Sequence, residues 1–453
     1  MLLSVLEGAA FRQALLRWYL FGIGQFTLGA SWVYVSIHDH GGANIFLAGT
    51  LTGLFVAGVA LTTLIQGFFY QRYFAGLTSL WLVAFPAVWF VKEWSMTWLL
   101  SGFPWSLLGY GHIESLLSGF APVGGVLGLG FLVALVSSLF FAGVVRVRQF
   151  RLLWWTGIVV IFVSGWLLSF VNFTRPSSEP VSVSLVQGNV SQETKWRREM
   201  VEPIINTYVG LTQDEWGRDL VVWPEAAITL FEDSASSLLS LLDVRGQDRN
   251  TTLLLGIPSR DGRTYYNSAV VVGAGEGKYT KRHLVPFGEY VPFENYLRGV
   301  IEFFDLPMSH NKPGPADQDL LTVGGLPMAL SICYEIAFPN LVRQDSGKAV
   351  LLATISNDTW FGKSLGPHQH MQMAQMRALE NGKYLLRGTN NGITAIVNHK
   401  GRIEGQLPQF EQGVLRGFAV PMEGITPYTR FGDWPLLVSL FAILGWLVFR
   451  RAG

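Results

Sequence analysis

The sequence predicts two structural classes in one chain: a multi-span α-helical membrane domain and an α/β layered soluble domain. Three observations predict this. Of 65 Asp, Glu, Lys and Arg residues, only 11 precede residue 172 (seven basic, four acidic), leaving 54 for residues 172–453. Apolar stretches fall at 18–37, 47–68, 75–91, 123–144 and 153–171, with a sixth at 435–449; crossing about 30 Å of hydrocarbon takes about 20 such residues. Between the fifth and sixth stretches, short apolar runs alternate with helical or polar segments, the pattern of a layered α/β fold. The expected division is helical spans over 1–171, a soluble block over 172–433 and a final span over 434–453.

The cations order the spans. Arg12 and Arg17, then Arg72, then Arg146, Arg148 and Arg151, then Arg450 and Arg451 fall in segments that alternate onto one side, whereas 38–46 and 92–122 carry only Lys92. Lys and Arg concentrate on the cytoplasmic side, so both termini are expected there and the soluble block on the outer face, the periplasm of a bacterium. Reading the first span as a cleaved secretory signal, with Gly29-Ala30 near its middle, would break this alternation. The last span is short, and Arg450, Arg451 and Trp434 supply the interfacial anchors that a short span needs. A net charge of +1 with no basic patch excludes an electrostatic nucleic-acid binder.

The soluble block opens on the linker Pro176-Ser177-Ser178-Glu179-Pro180. Val181 to Val186 then alternates at period two, and 220–223, 252–256 and 269–272 are nearly continuous Leu or β-branched runs, as expected of strands buried on both faces. Further strands are expected at 326–333, 349–356 and 393–397, with a helical pattern at about 367–385. The sequence contains no internal repeat and no low-complexity tract.

Three segments end a strand on a polar residue without an obvious structural task. Glu225 follows Trp223-Pro224, Lys281 lies in Tyr279-Thr280-Lys281-Arg282-His283, and Cys333, the only cysteine in the chain, closes Leu330-Ser331-Ile332. A thiol with an ordinary pKa near 8.5 is only a few per cent thiolate at neutral pH and needs a carboxylate to take its proton. Glu225 is the candidate base. Attack on an ester carbonyl builds an oxyanion that a fixed cation and a backbone N–H can stabilise; Lys281 and the Tyr334 amide are the candidates. Taken singly, each residue has a plainer reading: a buried small hydrophobe for Cys333, a helix cap for Glu225, a solvated strand end for Lys281 and a core aromatic for Trp196. His368-Gln369-His370 has the look of a metal pair, but lacks a further Cys or His ligand nearby and reads instead as surface or hydrogen-bonding groups. Spacings of 56 residues from Glu225 to Lys281 and 52 from Lys281 to Cys333 leave these alternatives open.

Longer segments add to them. VSLVQGNV at 183–190 with KW at 195–196, WPEAAI at 223–228, YTKRHLVPFGEYVP at 279–292, FFDLPM at 303–308, SICYEI at 331–336, ISNDTWFGKSLGP at 355–367, QMRALE at 375–380 and TNNGITA at 389–395 resemble the nitrilase superfamily, and within it the membrane-embedded apolipoprotein N-acyltransferases. SWVYVSIHDHGG at 31–42 and LSGFPWSLLGY at 100–110 extend the resemblance into the apolar part. It implies an αββα sandwich for the soluble block, with Glu225 as general base, Lys281 as transition-state stabiliser and Cys333 as nucleophile. Glu289, Tyr334, Glu335 and Trp196 match supporting positions, Trp196 on a loop at the mouth of the site. Members of the family carry eight spans; six are read here, with about seventeen residues ahead of the first, so the resemblance implies two further N-terminal helices that this sequence lacks.

The activity implied is transfer of an acyl chain from a phospholipid, by resemblance phosphatidylethanolamine at its first position, through a Cys333 thioester to the N-terminal α-amine of a diacylated apolipoprotein. Neither metal nor nucleotide cofactor is implied, since the activated acyl group comes from a membrane ester. The implied location is the inner membrane of a bacterium, with the catalytic block facing the periplasm. A membrane-anchored nitrilase-type amidase would need only one anchor, and a transporter would be expected to carry charged residues within its spans. In an exported domain, a lone cysteine has no intramolecular partner for a dead-end disulfide.

Overall fold

The computed structural model describes residues 2–75, 81–146, 150–292 and 310–452, and the chain divides into two compact units. The first comprises 1–31, 49–173 and 426–453, the second 32–48 and 174–425. The FFDLPM segment at 303–308 lies outside the described residues, as do Arg148 and residues 76–80 of the expected span 75–91.

The first unit is helical. Among the described residues, Ile45–Tyr73, Ser118–Val145 and Arg151–Leu168 are long and apolar enough to cross a membrane, and a fourth span results if Phe11–Gly29 and Trp32–His40 count as one. The stretch expected as a single span over 18–37 is thus broken at Ala30-Ser31, where Ala30 leaves helical geometry. The small residues there permit close approach: a Cβ on Gly29 would lie 2.1 Å from the Ser106 hydroxyl oxygen. Two shorter apolar helices complete the set, Trp81–Ser95 with Pro86 inside it and the C-terminal Trp434–Phe449.

Trp81–Ser95 runs past the expected end of its span, so Lys92 and Glu93 are buried within the unit, where the sequence led us to expect uncharged spans. Glu93 ties elements together: Oε1 accepts from the Trp89 indole N–H at 3.0 Å and from the Leu108 amide at 2.9 Å. Gly125 bends the Ala121–Phe141 helix at φ 65°, and its missing side chain admits Tyr428, whose ring would lie 2.4 Å from a Cβ there. Small residues at such crossings let helices pack closely where lipid supplies no hydrophobic drive.

Among the described residues, the second unit is built on fifteen strands: β1 Arg175–Pro176, β2 Val181–Gln187, β3 Leu220–Val222, β4 Thr252–Asp261, β5 Thr264–Gly273, β6 Gly275–Glu276, β7 Lys278–Thr280, β8 Leu321–Val323, β9 Leu326–Ile332, β10 Leu351–Ser356, β11 Tyr384–Thr389, β12 Ala395–Val397, β13 Ile403–Gln406, β14 Gly413–Ala419 and β15 Met422–Glu423. β1 and β15 pair alone. The others form a six-stranded sheet ordered β14-β2-β3-β4-β5-β7 and a seven-stranded sheet ordered β13-β12-β11-β10-β9-β8-β6. β2-β3-β4 and β9-β10-β11 are parallel at the centres of their sheets.

Side-chain parity stacks the sheets. Val183, Leu185, Leu220, Val222 and Leu254 of one sheet share a core with Leu330, Ile332, Ala353 and Ile355 of the other. The intervening Val186, Val221, Trp223, Leu253 and Leu255 point the opposite way, onto helices Val201–Thr212 and Ser236–Asp248. Helices Pro339–Ser346 and Gly366–Asn381 pack on the far face of the second sheet. The result is the αββα sandwich, and burial on both faces explains why its central strands read as unbroken apolar runs.

Within the second unit, three further departures from expectation stand out. The helix expected to reach 385 stops at Asn381, because Gly382 adopts φ 63° and its N–H closes back on Ala378 and Leu379, a left-handed cap open to glycine; β11 then begins at Tyr384. Cys333 is not the last residue of its strand but the first of a short 3-10 turn, Cys333–Ala337. β14 gave no apolar signal because it is an edge strand with Arg416 and two glycines, yet it pairs antiparallel along the whole of β2.

Candidate active site

Strand ends deliver three polar groups to one place. β3 and Trp223-Pro224 lead into Glu225, followed by Ala226 at φ 47°. The turn fits only because β4 has a glycine beneath it: a Cβ on Gly256 would lie 2.5 Å from the Pro224 carbonyl oxygen and 2.7 Å from the Glu225 Cα. β7 leads directly into Lys281 and β9 into Cys333.

The carboxylates and the lysine close a ring. Lys281 Nζ lies 2.8 Å from Glu289 Oε2 and 3.6 Å from Glu225 Oε1. Asn267, on β5, donates from one amide nitrogen to Glu225 Oε1 at 2.7 Å and to Glu289 Oε1 at 2.8 Å. Glu225 Oε2 accepts the Asn357 amide at 2.7 Å, and Glu289 Oε2 accepts the Val285 amide at 2.8 Å. Lys281 is buried, which alone would pull its pKa down, but Glu289, Glu225 and the Cys333 group raise it further than burial lowers it. It is therefore a fixed cation at neutral pH.

Cys333 holds φ 53°, a left-handed conformation that costs a residue with a side chain about 1–3 kcal/mol and persists only where its surroundings impose it. Cys333 as a residue is half-buried. Burial, then the Glu225 charge, push its pKa up; Lys281 opposes them, Asp358 adds to them and a Ser356 hydrogen bond opposes again. The group is thus held towards its protonated form, with the Glu225 carboxylate acting on it.

Glu335 is fully buried and braces this turn. Its carboxylate accepts the Ile332 amide at 2.7 Å, the Arg282 amide at 2.7 Å, the His283 amide at 3.0 Å and the Tyr279 hydroxyl at 3.0 Å. It thereby joins the end of β9 to the chain that carries Lys281. The Tyr334 ring packs edge-on against Phe338 at 5.0 Å. Trp196 is 37% exposed and follows Lys195, whose buried Nζ donates to the Glu225 main-chain carbonyl at 3.2 Å.

Residues that the sequence analysis did not single out as site candidates also line the site. Asn267 lies inside a strand, Lys195 ends a four-residue helix, and Asn357 follows β10 much as Cys333 follows β9. The strand-end pattern that exposed Cys333 would have found Asn357. Of the histidine pair, His368 is exposed against Gln409 at 3.2 Å, whereas His370 is buried between Asp358 and the Cys333 carbonyl. Among the described residues, no cluster of three or more His, Cys, Asp or Glu side chains could hold a metal ion.

The sequence matches the family described as "Carbon-nitrogen hydrolase" over residues 182–427 and that described as "Apolipoprotein N-acyltransferase N-terminal domain" over residues 1–139. Among similar proteins, the apolipoprotein N-acyltransferase of Pseudomonas syringae pv. tomato is 42% identical over 447 residues, covering 96% of this chain and 88% of the relative. That of Azotobacter vinelandii is 42% identical over 454 residues, covering 97% and 87%, and that of Methylococcus capsulatus is 40% identical over 458 residues, covering 100% and 90%.

Proposed function

Because the chain belongs to the apolipoprotein N-acyltransferases, membrane enzymes of the carbon–nitrogen hydrolase superfamily that acylate lipoproteins with a lipid-derived chain, we propose that it works by a two-step exchange through a thioester on Cys333. The observation that carries this reading is the hydrogen-bonded ring of Glu225, Asn267, Glu289 and Lys281, set beside a thiol on which both the Glu225 and Lys281 charges act.

In the first step, Glu225 takes the thiol proton as Sγ attacks the carbonyl carbon of a phospholipid ester, with phosphatidylethanolamine acylated at its first position as the donor. Each Glu225 oxygen keeps a lone pair beyond the bonds it already accepts. The Lys281 ammonium and the Tyr334 N–H face the oxyanion. The ester C–O bond breaks, the lysophospholipid oxygen takes the proton from Glu225, and the acyl group remains on sulfur. In the second step, the α-amine of a diacylglyceryl-cysteine N-terminus attacks the thioester, Glu225 accepts the amine proton, the C–S bond breaks and the proton returns to sulfur. An amide replaces a thioester, which is downhill and needs no nucleotide. Glu289 holds Lys281, Glu335 holds the nucleophile turn, and Trp196 stands at the mouth where lipid enters.

We read residues 1–31, 49–173 and 426–453 as the membrane part and residues 174–425, together with the stretch 32–48, as the catalytic domain, in place of the simpler division at 171/172 and 433/434. The alternation of cations supports an inner-membrane protein with both termini cytoplasmic and the catalytic domain periplasmic.

Intact mass spectrometry tests the chemistry. The purified protein incubated with phospholipid is expected to gain one palmitoyl-sized increment, lost on adding a diacylated lipopeptide and absent in Cys333→Ala. Glu225→Gln is expected to form no adduct. A wild-type protein that gains no mass sinks the thioester, and normal acylation in Glu225→Gln removes Glu225 as the base.

A further inference from the structure

We propose that His370 is a positioning residue for acyl transfer: by hydrogen-bonding the main-chain carbonyl of Cys333, it aims the Tyr334 N–H at the developing oxyanion. The inference rests on the reading of the Tyr334 amide as an oxyanion donor. His370 Nε2 lies 3.1 Å from the Cys333 carbonyl oxygen. A carbonyl oxygen can only accept, so Nε2 carries a proton and donates. Among the described residues no peptide bond is cis, and in a planar trans peptide the C=O and the following N–H point in opposite directions. Whatever holds the Cys333 carbonyl therefore sets the direction of the Tyr334 N–H on the other edge of the same plane.

The imidazole is itself held on every side. Nδ1 lies 3.0 Å from Asp358 Oδ1 and 3.1 Å from Arg387 Nη2. Asp358 is fixed in turn by Arg387 at 2.6 Å and by the Ser356 hydroxyl at 2.5 Å. All three of His370, Asp358 and Arg387 are fully buried. The Phe361 ring stands edge-on to the imidazole at 5.6 Å, and Trp32 stands edge-on to Phe361 at 4.8 Å. Trp32 belongs to the stretch 32–48 that joins the catalytic unit from between two apolar helices, and Ser36 on the same stretch donates to the Trp360 carbonyl at 2.8 Å. A buried N–H must find an acceptor, and here the acceptor is the main-chain carbonyl of the nucleophile, a residue held in a left-handed conformation.

Two substitutions divide the two ends of the ring. His370→Asn keeps an amide near the Nδ1 position for Asp358 but falls short of the Cys333 carbonyl, whereas His370→Gln places an amide donor near the Nε2 position. Two reactions of the full-length protein are compared: the pre-steady-state burst of acylation by a p-nitrophenyl acyl ester, which forms an oxyanion, and alkylation of Cys333 by iodoacetamide, which does not. His370→Asn is expected to slow the burst about tenfold or more while leaving alkylation within about threefold of wild type, and His370→Gln to recover most of the burst. A burst within about threefold of wild type in His370→Asn, or equal losses of burst and alkylation in both variants, overturns the inference. The ester probe separates this result from the donor reading: if wild type takes no acyl group from phospholipid yet the variants divide as described, the phospholipid donor falls and His370 keeps its role.

Discussion

At the scale of single residues, the site sets two buried lysines in opposite electrostatic positions. Lys281 has carboxylates at 2.8 and 3.6 Å and is held above its ordinary pKa. Lys195 has a main-chain carbonyl, and burial lowers its pKa to about 8 although Glu225 pulls it up. Since an unfolded lysine keeps its proton to about 10.5, the folded protein bears the cost of that buried cation at pH 8 and below and sheds it as pH rises towards 10.5. The unfolded state binds more protons over this window, so stability due to Lys195 rises with pH. In thermal unfolding of the detergent-solubilised protein, the difference between wild type and Lys195→Met should shift towards wild type between pH about 8 and about 10.5; a difference that stays flat would mean that Lys195 holds its proton as tightly in the folded protein as in the unfolded chain. Glu225 and Cys333 were legible in the sequence because each interrupts the apolar signal of a strand that has just ended, whereas Lys281 follows the polar strand Lys278–Thr280. Asn267 and His370 sit inside a strand and a helix, where a polar residue leaves the local pattern undisturbed.

At the scale of elements, the active-site turns depend on what lies under them. β3 can deliver Glu225 only because β4 presents Gly256 at the point of closest approach, and the atoms a side chain there would meet are the main chain of Pro224, Glu225 and Ala226. Backbone cannot swing aside as a side-chain end can, so Gly256→Ala should cost about 1–3 kcal/mol by overpacking and displace Glu225. The expected outcome is a lowered unfolding temperature together with acylation of Cys333 slowed by about 10²; wild-type acylation would show that the turn tolerates the shift. The central strands were readable from composition, since burial on both faces demands apolar residues throughout. β14 was not, because an edge strand needs only main-chain pairing, and β11 was absorbed into the preceding helix because its separation rests on one left-handed glycine, Gly382.

At the scale of the whole molecule, the proposed topology makes a claim about sides. With both termini cytoplasmic, a reporter that works only in the periplasm should be inactive when fused after residue 451 and active when inserted in the linker 176–180; the reverse pattern would invert the orientation. Membership of the N-acyltransferase family through both its N-terminal and its hydrolase-like parts weighs against a single-anchor amidase, and the buried Lys92 and Glu93 do not revive a transporter, since Glu93 is engaged by Trp89 and Leu108. By itself the sequence determined where apolar surface must go: which segments are greasy enough for lipid, which strands face both ways, and which residues end them. These are sums over transfer free energies of neighbouring residues, and they can be read without knowing the fold. Tertiary structure alone decided which polar groups meet. Asn357 reaches Glu225 across 132 residues and Tyr279 reaches Glu335 across 56, and His370 finds the Cys333 carbonyl from the far layer of the sandwich. A hydrogen bond is worth its full strength only within a few tenths of an ångström and a narrow cone of directions, and that precision is set by sheet order and strand register, which local sequence does not record.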